Sequence, residues 1–264
     1  MADQRKPQII SARDTAPISL VETARVQTRT YLSSIHIRTA ANLARQCAEL
    51  ETRSPRRIAA FRGGDLATRD QGYAAASVII CVAFMEAAAN EFYNDCCDSG
   101  KDVTNRLGKQ QVAPLAGRWK DAEKDQRSWP VLEHFQDALK ILKLRPFERG
   151  RGIFQMARVL VDLRNFLVHY KTEWVGTDPP TSRKKGAEDL EAALKKQRFS
   201  NNPFYAAGNA FLPDRCLGYG CAKWAVETSI EFVDEFWRRI GLSAKYEISR
   251  SELLLAPVGI LPVK

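Results

Sequence analysis

Several things are scarce in this chain, and each scarcity removes a class of protein. No two cysteines stand in C-x-x-C spacing; Cys47, Cys81, Cys96, Cys97, Cys216 and Cys221 are scattered. That argues against a zinc site, and no metal or other cofactor is expected. Alternation of apolar and polar residues, the mark of a half-buried strand, is rare, so a sheet is not expected. The opening residues Met-Ala-Asp-Gln-Arg-Lys contain no apolar signal core, so reduced thiols and a cytoplasmic location are expected. Vicinal Cys96-Cys97 reads as two helix-end cysteines, one buried, ahead of a redox pair. The most apolar stretch, Ala74 to Met85, is closed by Glu86, Asn90 and Glu91. It is too short to cross a bilayer and reads as a core helix, with no membrane partner. There is no internal repeat and no low-complexity tract.

What the chain does have is length, apolar content and positive charge. Its 264 residues are 45% apolar, enough for one large domain or two small ones. The formal net charge is +9, which favours polyanions, nucleic acid above all. Long segments with helical periodicity dominate, so the expected fold is an all-α bundle with long antiparallel helices.

The pattern divides the chain into a polar arm at residues 1–18, a helical domain at 19–242 and a tail at 243–264. The first long helix runs to Glu51, with Leu32, Ile35, Leu43, Cys47 and Leu50 as its apolar stripe and His36 as a satisfied core-edge histidine. Arg53 to Arg69 is turn-rich. A central helix follows from Asp70 to Cys97, with Ile79, Val82, Ala83, Glu86, Asn90 and Tyr93 on one side. The segment from there to Pro130 reads as irregular, anchored by Trp119 and Trp129. Val131, Phe135, Leu139 and Leu142 predict a short helix stopped before Pro146. A motif helix spans Ile153 to Tyr170. Residues 172–217 form a long connection with a short helix at Glu188 to Lys196, and its basic residues suit either RNA or solvent. An amphipathic helix from Tyr219 to Ile240 is capped at Gly241.

The motif helix carries the only credible chemistry. Arg164-Asn165-Phe166-Leu167-Val168-His169 sets a permanent cation, an amide and an imidazole on about one and a half turns. Those groups hold a phosphate and move protons at neutral pH. On a helical wheel Asn165, Arg158, His169 and Asp162 fall within about 60° and form a polar strip. Arg164 lies apart, between Leu160, Val161 and Val168, where an unpaired guanidinium is very costly. Glu86 is its expected partner. Tyr170 points toward the core on the same wheel, so packing is favoured over base stacking. A purely structural strut between Arg164 and Glu86 explains the same residues without any chemistry.

The pattern R-polar-x-x-x-H near a helix end resembles the signature of the HEPN superfamily, small helical domains of which many are metal-independent ribonucleases. The match is Arg164, Asn165 and His169, with the R-N start and H-Y finish. The helix carrying Glu86-Ala87-Ala88-Ala89-Asn90-Glu91 resembles the E-A-x-x-N-E helix of several HEPN groups. The likeness implies a homodimer whose two motifs meet in one cleft. It also implies RNA cleavage through the ribose 2′-hydroxyl, leaving a 2′,3′-cyclic phosphate, and a role as toxin or phage-defence effector with an antitoxin or other regulatory partner. His169 would act as general acid or base, Arg164 would stabilise the phosphate charge, and Asn165 would orient the groups. Glu86, Asn90, Arg158, Asp162 and Tyr170 are supporting residues, and Lys171 is a substrate contact. The alternative is a non-catalytic HEPN-type domain that binds RNA, nucleotide or a partner protein.

Overall fold

Small residues allow the first two helices to come close. In the computed structural model, which describes residues 30–53, 64–98, 106–125, 129–171, 185–253 and 255, helix α1 (Leu32–Arg53) lies against α2 (Asp65–Cys97). Contacts run in opposite order along the two helices, Ser33 to Glu91, Ala40 to Ser77 and Cys47 to Asp70, so the pair is antiparallel. The buried face of α1 is Ile37, Ala40, Ala41, Ala44, Cys47 and Ala48. This corrects the expected stripe. Leu32 and Ile35 are 50% and 52% exposed, because the close approach to α2 selects alanines, which side-chain size alone does not reveal. His36 is half-buried, and its Nδ1 has no hydrogen-bond partner among the described residues.

The central helix exceeds the expected apolar run. It spans 33 residues and is long and apolar enough, by length and composition, to cross a membrane. In this structure it is the core helix, with Asp70 and Asp95 buried along it.

The segment expected to be irregular holds a helix, α3 (Lys109–Asp125), despite Pro114. Val112, Leu115 and Trp119 recur at helical spacing and turn inward, and Trp119 stacks on Tyr93 at 5.7 Å. Helix α4 (Val131–Ile141) sets Phe135 edge-on to Phe232 and Phe236. Then come α5 (Gly152–Val168), α6 (Lys185–Lys195) and α7 (Tyr219–Ile240), the last ending on Gly241 at φ 71°. Helix α7 runs parallel to α2, with Asn202 linking Asp70 to the carbonyl just before its start and Phe92 meeting Phe236 near its end. Among the described residues every regular element is helical, and the protein is an all-α bundle. All six thiols are free. The arm at 1–18 lies outside the described residues. Tyr246 and Leu253 of the C-terminal segment are buried, with Tyr246 edge-on to Phe84 at 5.1 Å.

Residues 197–218 form a strap fastened by polar side chains. Asn202 Nδ2 donates to Asp70 Oδ2 at 2.8 Å and to the Leu217 carbonyl at 2.5 Å. The Asn202 N–H donates to the Arg215 carbonyl at 2.7 Å. Glu51 of α1 accepts the Tyr219 N–H at 2.6 Å, so α1 supplies the cap for α7. Gly218 precedes that helix without a capping side chain of its own. A Cβ there would meet Glu51 Oε1 at 2.7 Å, and one at Gly220 would meet Ser200 O and Oγ at 2.4 Å.

Candidate functional site

Helix α5 brings the sequence motif to an open cleft. Arg164 leaves α5 between Leu160 and Val168 and forms an ion pair with Glu86 Oε1 on α2. The guanidinium side chain is 22% exposed and the carboxylate 44%, so neither charge is fully desolvated. Asn165, one residue on, is exposed. His169 lies just beyond the last helical residue, and its N–H donates to the Asn165 carbonyl at 2.9 Å. That bond closes the helix end and leaves the imidazole in solvent.

These side chains line one cleft of about 530 Å³. Arg158, Val161, Asp162, Arg164, Asn165 and His169 form the α5 wall, with Phe154 at its inner end; Glu86, Trp129 and the first turn of α4 lie opposite. Arg164 therefore opens on the same cleft as the polar strip, although the wheel separates them. Its side chain pairs with Glu86, which lines that cleft as well. Asn90 and Lys171 do not line the cleft. Tyr170 does not either, and it is 44% exposed and edge-on to Phe166 at 5.4 Å. The core-facing placement of Tyr170 fails because α5 ends at Val168, before the wheel reaches it.

Arg149, Glu133 and Trp129 reach the cleft without any motif signal. Arg149 donates to Glu133 at 2.6 Å on the rim. Trp129 is held under the Arg118 guanidinium at 4.0 Å and against His134 at 3.9 Å. Desolvation pushes the His134 imidazole down to about 4, so it is neutral at pH 7. Only the turn residues Pro130 and Gly150 beside Trp129 and Arg149 mark this rim in the sequence. Partial desolvation raises the Asp162 carboxyl above its usual range although the residue meets solvent, with Arg158 pulling the other way.

A second groove, about 640 Å³, lies on the other side of the strip, between α5 and α6. Arg158, Asp162 and Asn165 line both hollows, so they form the ridge between them. Among the described residues no three His, Cys, Asp or Glu side chains gather as a metal-ligand set. Comparison with family models, with characterised proteins and with solved structures finds no match to this chain.

Proposed function

We propose that this chain is a metal-independent endoribonuclease of HEPN type. The observation that carries the reading is the opening of Arg164, Asn165 and His169 onto one cleft. A guanidinium answers phosphate charge with paired N–H donors. An exposed imidazole can accept or donate a proton. The +9 charge of the chain favours an RNA partner.

In the reaction, a ribose 2′-oxygen attacks the adjacent phosphorus and the P–O5′ bond breaks. His169 takes the 2′-hydroxyl proton or delivers one to the departing 5′-oxygen. Arg164 balances charge on the phosphoryl oxygens, and Asn165 orients the sugar or the ring. The products are a 2′,3′-cyclic phosphate and a 5′-hydroxyl, and DNA is not cut. A homodimer supplies the second imidazole, so one ring serves as base and its counterpart as acid. Support for such pairing comes from apolar residues beside the motif. Val168, one turn after Arg164, is 50% exposed, and Ile79 lies two turns before Glu86 on α2 and is also exposed. The resemblance adds a cytoplasmic toxin or phage-defence role with an antitoxin or other regulator.

The second reading is a non-catalytic domain that binds RNA, nucleotide or a partner protein. It is favoured by the engagement of Arg164 with Glu86, which leaves the cation neutralised in the free chain. The deciding experiment is His169→Ala with a fold check by circular dichroism. The expected result is a loss of about 10²–10⁴ in cleavage rate, with wild-type activity unaffected by chelators. Unchanged cleavage in that variant removes the catalytic reading, and binding without cleavage by the wild type selects the second.

A further inference from the structure

We propose that the groove between α5 and α6 is a base-recognition site for guanine in the RNA strand. The inference rests on the ribonuclease reading, because the groove meets the motif cleft only through the ridge of Arg158, Asp162 and Asn165.

Its form suits a flat heteroaromatic ring. Val159, Phe166, Leu190 and Ala193 give it apolar lining, and Gln155, Asp162, Asn165 and Asp189 add polar groups to the same wall. Among the described residues, the side chains of Gln155, Arg158, Asp162, Asn165 and Asp189 make no hydrogen bond or ion pair with the protein. Elsewhere on this surface, close charges pair off: Lys195 with Glu191 on α6, Arg149 with Glu133 on the rim of the other cleft, Arg164 with Glu86. Arg158 acts on Asp162 only through space, so the ridge and the facing side of α6 keep their hydrogen-bond donors and acceptors open. An apolar surface with unspent polar edges is the general form of a small-molecule site.

The polar set selects the ring. When ionised, Asp162 and Asp189 accept hydrogen bonds and donate none. Of the four RNA bases, guanine alone places two adjacent donors, the ring N1–H and the 2-amino group, along one edge. A carboxylate meets both with its two oxygens. Uracil offers one N–H between two carbonyls, and those carbonyls face the acid unfavourably. Arg158, on the ridge, is placed to hold the phosphate linking this nucleotide to the one in the motif cleft. A base in the groove then lies next to the scissile bond, and the strand crosses the ridge at Asn165.

The test uses the full chain carrying His169→Ala, so that the readout is binding alone, and guanosine 5′-monophosphate as the probe. Calorimetric titration is expected to show at least tenfold tighter binding of this nucleotide than of uridine 5′-monophosphate. Asp189 is exposed and outside the motif cleft, so Asp189→Asn is expected to fold normally and to bring that ratio to within about twofold. In the active chain, Asp189→Asn is expected to keep cleavage of guanine-free RNA while losing the preference for cutting beside guanine. Equal binding of the two nucleotides, or a ratio unmoved by Asp189→Asn, overturns the groove while leaving the ribonuclease reading to the His169 experiment. Selective guanine binding that Asp189→Asn abolishes, in a wild-type chain that cuts no RNA, supports the groove and overturns the ribonuclease reading instead.

Discussion

Gly220 shows how little room a single residue can have. At Gly220 the backbone passes so near Ser200 that a Cβ would sit 2.4 Å from the Ser200 carbonyl oxygen and 2.8 Å from its nitrogen. The backbone cannot yield as the end of a long side chain does. Gly220→Ala is therefore expected to cost roughly 2 kcal/mol through overpacking. A shift in the urea midpoint with an unchanged slope would report it, and a neutral result would mean that the strap can lift away from α7. Arg164 is the opposite case. Its partner Glu86 lies 78 residues earlier in the chain, yet the pairing is readable from two facts: a guanidinium set among Leu160, Val161 and Val168 needs an anion, and α2 turns Glu86 toward a cleft. Tyr170 was not readable in the same way, because its direction depends on where α5 stops, and helix ends frequently shift by a residue or two.

Among the elements, the strap at 197–218 has a built-in pH dependence. Burial lifts Glu51 to about 7, and burial together with the charge of Glu51 lifts Asp70 to about 8. Both groups bind protons more tightly in the folded state than in the unfolded one. Their contribution is thus complete at low pH and is lost as pH rises through these values. Thermal stability is expected to fall by roughly 2 kcal/mol between pH 6.5 and 8.5, and Asp70→Asn should flatten that decline. A decline of equal size in Asp70→Asn would show that other groups cause it. The elements themselves were unequally legible. The last helix, Tyr219–Ile240, and the short α4 follow from periodicity, because each buries one wide face. The face of α1 was misread, since alanines fill the narrow seam against α2 while larger Leu32 and Ile35 stay outside. Helix α3 was missed because Pro114 and a charged composition mask a stripe of only three inward residues. The cap supplied to α7 by Glu51 joins positions 168 apart, and local patterning carries no information about it.

For the molecule as a whole, the sequence was sufficient for the all-α class and for naming Glu86, Arg158, Asp162, Arg164, Asn165 and His169, fewer than half of the residues that line the motif cleft. It was silent on the shape that joins them: Trp129 and Arg149 reach the cleft from either side of α4 and Glu133 from its first turn, and the α5–α6 groove exists only once α6 packs on α5. If two copies pair through the motif side, a charge there should separate them. Val168→Glu replaces a half-exposed side chain and should leave the bundle folded. Sedimentation equilibrium is expected to show a dimer for the wild-type chain and a monomer for this variant, with cleavage lost in parallel. A monomeric wild type that still cuts RNA would end the two-protomer mechanism while sparing the single-chain site.

The central helix has a consequence during synthesis. Residues 65–97 leave the ribosome well before 219–240, the helix that covers much of their apolar surface. Until α7 arrives, a segment with the composition of a bilayer-crossing helix stands partly uncovered in a nascent chain. Asp70 and Asp95, buried at the end of folding, are ionised acids at that earlier stage. They stand 25 residues apart, farther than the roughly 20 that span a bilayer core, so they flank the apolar run and do not interrupt it. Packing of this helix therefore waits on a partner that begins more than 120 residues after it ends.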